Sequence, residues 1–239
     1  RLLAAGKNVI SINGYSRPQH WGGERVAALE AACRKGGTSL LGAGLNPGYA
    51  GEQLAGVATG VGSAVDDMEV VESVDCRAVR SPDYVFKVLG FGAEPEAVDP
   101  NDPAWGPSSS LNGMYEEVLS TMAERLHMPL ERVATEHRVF PASADLQIGA
   151  GVIEKGRVSH FNWRWHGIVQ GSPRLTMSIH WYMETAHLDD PHPPLWRIHV
   201  QGQPGVRISL DMEKRAGDTS PTSAEQIAVA GTVINAIPI

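Results

Sequence analysis

The sequence predicts an α/β opening followed by an α+β domain, whose mixed, largely antiparallel sheet packs on helices. Three observations carry this. Helix, glycine and short apolar strand recur twice before residue 44, the pattern of crossovers between parallel strands. From Leu111 to Leu126 apolar residues return at three- and four-residue steps, as on a helix with one buried stripe. Beyond Leu130 the apolar period becomes two, as in strands buried on one face.

The elements follow in chain order. RLLAAG reads as the last turns of a helix with Gly6 just past its end, and KNVIS as a strand. A helix from Glu24 to Lys35, then Gly36 and Gly37, leads into the strand TSLLGAG. Parallel strands of this kind hold ligands beyond their carboxyl ends. Two loops leave such ends, Ser11-Ile12-Asn13-Gly14-Tyr15 and Gly42-Ala43-Gly44-Leu45-Asn46. In the second loop Asn46 suits the N-cap and Pro47 the first helical position of a helix running from Gly48 to Val61. Free N–H groups at that start favour an anion or a polarised carbonyl; the other reading is a plain tight connection. The GxGxxG fingerprint is absent.

Met68 to Val79 reads as a strand, Pro82 to Gly90 as a short helix, and Ala93 to Pro107, with its four prolines, as a loop or lid. After the Leu111–Leu126 helix, two long strands meet around Gly171-Ser172. Phe161, Trp163 and Trp165 share one face with Leu175, Met177, Ile179, Trp181 and Met183. His160, Asn162, Arg164 and His166 share the other with Arg174, Thr176, Ser178, His180, Tyr182 and Glu184. Matching faces across a hairpin require an odd loop, of three or five residues. A second hairpin sets Trp196, Ile198 and Val200 against Val206, Ile208, Leu210 and Met212. Ser223 to Ala236 is a closing helix, with Pro221 before it and Pro238 after it.

Composition narrows the function. The 239 residues are 42% hydrophobic, with no run long enough to span a bilayer, so a soluble globular protein is expected. A net charge of −7 without a basic run speaks against nucleic acid. Cys33 and Cys76 make no disulfide framework and read as small apolar side chains, in keeping with a cytoplasmic setting. The chain begins at Arg1 within a helix-like stretch and ends on VINAIPI, so it is read as a piece of a longer protein. The polar strand face from His160 to Glu184 could line a substrate pocket, where His and Tyr exchange protons, or form a solvated face or an oligomer interface. His187, Asp189, Asp190 and His192 carry metal-type ligands in a proline-rich loop, where the ordinary reading is a solvated turn; no metal is expected.

At GKNVISINGYSRP (6–18), AACRKGGTSLLGAGLNPGY (31–49), FKVLGFG (86–92) and VINAIP (233–238) the sequence resembles the dihydrodipicolinate reductase-like oxidoreductases of actinobacteria. These are relatives of 2,4-diaminopentanoate dehydrogenase and the NAD(P)-dependent amine dehydrogenases. The resemblance implies two domains. Residues 1–44 would be the C-terminal part of a Rossmann domain whose earlier strands lie outside the chain. Residues 45–218 would bind substrate and build a homo-oligomer through their sheet, and residues 219–239 would return as a helix to the Rossmann domain. It implies NADP or NAD held by Ser11, Ile12, Asn13, Gly44, Leu45, Asn46 and Pro47. A small-molecule substrate would meet Tyr49, Asp75 and Arg80, with Tyr15, His160 and His166 as candidate catalytic groups. The expected reaction is hydride transfer to or from a C=N or C=O carbon, and the fragment alone is expected to bind nucleotide poorly. Amine dehydrogenases of the group place a glutamate soon after the GKNV strand; here Ser11 to Pro18 holds no carboxylate, and Asn13 and Tyr15 occupy the region. The alternative is a domain that binds a ligand or assembles without turnover.

Overall fold

The computed structural model describes residues 1–237, and Pro238 of the expected helix stop lies outside them. The chain divides into two compact units. One comprises residues 1–60, 114–129 and 212–239; the other comprises 61–113 and 130–211.

In the first unit β1 (Val9–Ser11) pairs in parallel with β2 (Leu40–Gly42), with Ser11 opposite Gly42. The connection between them carries helix α1 (Gly23–Gly36). Its end is set by Gly37, whose left-handed backbone (φ 62°) lets its N–H bond back to the Cys33 carbonyl. Cys33 is half-buried on this helix. The C-terminal helix α4 (Ala224–Ala236) belongs to the same unit and starts on a capping box. The Gln226 N–H donates to Ser223 Oγ and the Ser223 N–H to Gln226 Oε1, both at 3.1 Å.

The segment after β2 corrects one expectation. Asn46 does not cap a helix begun at Pro47. Asn46 and Pro47 are extended (φ/ψ −154/108° and −67/152°), Gly48 takes a positive φ (124/−92°), and the Asn46–Pro47 peptide is cis. The helical turns follow them within the π-type stretch Leu45–Leu54, then α2 (Ala55–Ala58) and a 3₁₀ turn Thr59–Val61. The Tyr49 N–H reaches the Gly44 carbonyl at 2.9 Å, and the Gly48 N–H is taken by the Glu52 side chain. The cap therefore comes from four residues downstream.

The second unit holds a seven-stranded sheet. Its strands are β3 (Ala64–Asp75), β4 (Arg132–Thr135), β5 (Arg138–Pro141), β8 (Val158–Val169), β9 (Ser172–Tyr182), β10 (Trp196–Gln203) and β11 (Val206–Leu210). The order is β11-β10-β3-β9-β8-β4, with β5 also on β8; only β3 and β9 run parallel. A separate two-stranded ribbon joins β6 (Leu146–Ile148) to β7 (Gly151–Ile153). The expected faces pair as read: Phe161 with Trp181, Trp163 with Ile179, Trp165 with Met177, and Ile198 with Ile208. Phe161, Trp163, Trp165 and Trp196 are wholly buried and form the core of this unit. Phe161 and Trp163 stack at 5.4 Å, and Trp105 lies over both at 5.8 and 5.7 Å.

Three boundaries differ from expectation. The β8–β9 loop is not odd. It is the two-residue turn Gln170-Gly171, with φ 52° and 73° as a type I′ turn needs. A bulge between Gly167 and Ile168 shifts the register by one and restores the facing of the apolar residues. β3 begins earlier and ends earlier than expected. Asp66 and Asp67, poor strand formers, lie within a stretch paired to β10, and at Asp75 the side chain accepts the Arg77 N–H (3.0 Å), turning the chain. Helix α3 (Gly106–Arg125) starts before Leu111, with Pro107 in its first turn, and runs from the second unit into the first.

Candidate functional site

The two strand-end loops of the first unit lie side by side, because β1 and β2 end together. Their glycines are there for close packing. A Cβ on Gly42 would fall 2.2 Å from the Ser16 nitrogen, and one on Gly44 would fall 2.5 Å from the Pro47 carbonyl oxygen. The glycine run thus lets backbone approach backbone, and the space above both residues is filled by the chain itself. What the loops offer outward is Ile12, 42% exposed, and the neighbouring Asn13. Ser11 Oγ accepts from the Asn13 N–H at 3.3 Å, which turns the loop back on itself.

Beneath the first loop lies a carboxylate that the sequence around it does not supply. Glu117, from the middle of α3, is fully buried. Its Oε2 accepts from the Tyr15 N–H and the Trp21 indole N–H, each at 2.9 Å. Its Oε1 accepts from the Arg17 N–H at 2.6 Å. Charge-assisted bonds of this kind are the strong ones, and together they fix the path from Gly14 to Arg17. A second buried carboxylate, Glu52, supports the second loop; it is 2% exposed. Ser16 Oγ donates to Glu52 Oε1 at 2.7 Å and lies 3.5 Å from Glu117 Oε1, so one hydroxyl sits between the two acids. Arg125 Nη1 donates to the Glu52 carbonyl at 2.8 Å. Burial raises the Glu52 carboxyl above its ordinary value, against the lowering effect of Ser16 and the Gly48 N–H. Among the candidate residues, Tyr15 (φ 69°) sits here with its hydroxyl bonded to Arg25 and its ring 5.4 Å from the Arg25 guanidinium. Leu45 and Pro47 are buried, Asn46 is half-buried, and Tyr49 is 37% exposed.

The remaining candidates lie in the second unit. His160 is wholly buried in the sheet, and its Nε2 is 2.9 Å from His180 Nδ1. Burial first, then the neighbouring imidazoles, lowers His160 to about 3; burial, with Arg164, lowers His180 to about 4. Asn162 and Ser178 complete this buried polar cluster at 3.1 Å. His166 is half-buried between Thr176 Oγ1 and Glu136 Oε2, each at 3.1 Å. Farther along the same face a small cleft of about 200 Å³ is lined by Glu69, Arg164, His166, Thr176 and His199, with Arg164 paired to Glu69 at 3.1 Å. Asp75 is gripped by Arg77 (Nε–Oδ1 2.9 Å): burial pulls its carboxyl upward, but the Arg77 bonds and charge outweigh this and hold it below the usual range. Arg80 is exposed. His187 Nε2 points at the Pro141 carbonyl at 2.8 Å, and among the described residues no group of three or more His, Cys, Asp or Glu could hold a metal ion.

Sequence reasoning missed both buried glutamates. Glu117 stands 102 residues from Tyr15, off the apolar stripe of its helix, and nothing in its spacing marks it. Glu52 had a local signal: it lies four residues after Gly48, one helical turn from the N–H it caps.

No protein-family model matches the chain. It is 25% identical over 222 residues to a protein of Streptomyces virginiae named amine dehydrogenase, covering 87% of this chain and 58% of that one. Its fold matches the structure of amine dehydrogenase from Mycobacterium smegmatis at a TM-score of 0.60 and 16% identity, covering 95% of this chain and 64% of that one. The chain thus spans less than two thirds of the length of either. No helix among the described residues is long and apolar enough to cross a membrane. The resemblance to amine dehydrogenases read from the sequence is supported by a sequence relative and, at the level of fold, by a solved structure.

Proposed function

We propose that the protein is part of an NAD(P)-dependent oxidoreductase that moves a hydride to or from the carbon of a C–N bond, or of the matching carbonyl. The observation that carries this reading is the side-by-side ending of the parallel strands β1 and β2 over the buried Glu117, in a chain homologous to an amine dehydrogenase. The nicotinamide would supply the redox chemistry. The chain's own share is position and polarity. Ser11, Ile12 and Asn13 offer a hydroxyl, an apolar contact and an amide suited to a carboxamide or ribose edge. Gly44, Leu45, Asn46 and Pro47 form the neighbouring wall. Pyrophosphate is not catered for, since no glycine fingerprint is present. Glu117 and Glu52 hold the two loops in place, and their oxygens give the strand ends an acceptor-rich underside suited to an amine or iminium. Tyr15 is the hydroxyl in this region, and its oxygen accepts from the Arg25 guanidinium. We also propose assembly into a homo-oligomer through the polar face of the seven-stranded sheet, where Arg164, Glu69 and His166 line a cleft.

Fluorescence titration of the gene's full product with NADPH and NADH tests the reading, followed by a panel of amines, imines and keto acids read at about 340 nm, the reduced-nicotinamide band. Sub-millimolar binding of one nucleotide with turnover of an amine or imine is the expected result. Absence of nucleotide binding would sink the proposal. Binding without turnover of any panel member would favour a domain that holds ligand without chemistry.

A further inference from the structure

The second unit contains a cavity that the proposed redox site does not use. Its volume is about 540 Å³, and Val88, Leu89, Trp105, Leu111 and Trp181 supply apolar walls. This volume is in the range of small-molecule sites. Trp105 is held from behind by stacking on Phe161 and Trp163, and Trp181 by an edge contact with Trp163 at 5.7 Å. Both indoles are therefore rigidly mounted on the buried aromatic core. Neither is itself buried: each is of intermediate exposure, so large apolar surface is presented to the cavity.

The polar content of the lining is small and of one sign. Lys87 is the charged side chain among the lining residues, and Ser110 contributes a hydroxyl. Lys87 pairs with Asp83 at 2.6 Å, but both side chains are largely exposed (78% and 80%), so that pair is weak and exchangeable. Gly106 and Pro107, also in the lining, open the 20-residue helix α3, whose first turn is the positive end of its dipole. The cavity thus joins an apolar body to an ammonium at its rim, with no carboxylate among the lining residues.

We propose that this cavity is a binding site for an apolar monocarboxylate, an arylalkyl or branched-alkyl chain lying between Trp105 and Trp181 with its carboxylate toward Lys87 and Ser110. The inference stands apart from the redox reading and survives its failure, because every residue it uses belongs to the second unit.

The test is titration of the whole protein with 3-phenylpropionate, 2-phenylethylamine and 3-phenylpropanol, read by tryptophan fluorescence and calorimetry. The carboxylate should bind saturably and at least about tenfold more tightly than the amine, a factor that a single charge contact can supply. Ser110→Phe fills the space from an exposed helix position and should abolish binding while leaving the thermal midpoint unchanged. Lys87→Gln should bring the carboxylate close to the alcohol in affinity. Amine affinity equal to that of the carboxylate, undiminished binding in folded Ser110→Phe, or no saturable binding of any of the three would each overturn the proposal.

Discussion

The Glu117 carboxylate presses so closely on Gly14 that a side chain there has no room: a Cβ would fall 2.6 Å from Oε2. Gly14 also holds φ at +86°, a region disfavoured for residues with a Cβ. Gly22 offers an internal control, since it has φ +89° but nothing within 4 Å of a built Cβ. Gly22→Ala should cost roughly 1–3 kcal/mol from backbone conformation alone. Gly14→Ala should cost clearly more, because it also displaces a buried carboxylate from the N–H groups of Tyr15 and Arg17. Urea unfolding of the two variants checks the difference, and equal losses would show that the Glu117 contact is of no consequence.

Glu52 makes a separate statement about pH. Its ordinary value of 4.5 is raised in the folded protein, chiefly by burial. A raised acid favours the folded state while protonated, and that contribution is lost as pH climbs from 4.5 through the raised value. Glu52→Gln keeps an acceptor oxygen for the Gly48 N–H and turns its NH2 toward Ser16 Oγ, which can accept, but it never ionises. The stability of Glu52→Gln relative to the native protein should therefore rise as pH increases from 4.5 through the raised value. A difference that is flat with pH, or that falls, would mean that Glu52 ionises in place without penalty.

The turn at Gln170-Gly171 uses a residue that does not suit it. Both positions have positive φ, and asparagine adopts that conformation more readily than glutamine. Gln170 is exposed, so its side chain is free to change. Gln170→Asn should stabilise the protein by about 0.5 kcal/mol, the upper range for a neutral surface change. Chemical denaturation resolves a shift of this sign, and a destabilising result would argue against the two-residue turn and in favour of the longer loop read from the sequence.

That turn marks where sequence reading stops. Alternation fixed which of Phe161, Trp163, Trp165, Met177 and Ile179 share a face, because a one-residue slip would drive tryptophans into water. It could not fix the loop length, since a bulge at Gly167/Ile168 restores the parity at no cost to that pattern. The strands β4 to β7 are three or four residues long and carry too few alternations to be recognised. The candidate site was half legible. The parallel strands at Ser11 and Gly42 follow from the repeated helix-glycine-strand spacing. The acids beneath them do not, for Glu117 meets Tyr15 only through the tertiary fold. The likeness to amine dehydrogenases was legible in short motifs, while the lack of a carboxylate between Ser11 and Pro18 pointed away from a buried acid that the fold supplies from α3.

His137 should govern much of the protein's response to acid. It is 4% exposed and held between Trp163 and Trp165. Its Nδ1 accepts the Arg164 N–H at 2.9 Å, and its Nε2 faces Asn112 Oδ1 at 3.1 Å. This fixes the neutral ring with the proton on Nε2, since a proton on Nδ1 would oppose the Arg164 N–H. Burial accordingly lowers its value from 6.5 to about 4. A lowered histidine favours the folded state above the unfolded value, and that advantage is lost as pH falls from 6.5 toward 4, because only the unfolded chain takes up the proton. The slope from one such group approaches about 1.4 kcal/mol per pH unit, and His160 and His180 add to it in the same direction. His137→Asn retains an acceptor for the Arg164 N–H but cannot titrate. Unfolding followed from pH 7 to 4 should show a steep loss of stability in the native protein and a slope shallower by up to one proton in His137→Asn. An unchanged slope would place the proton uptake on the His160–His180 pair alone and leave His137 charged within the core.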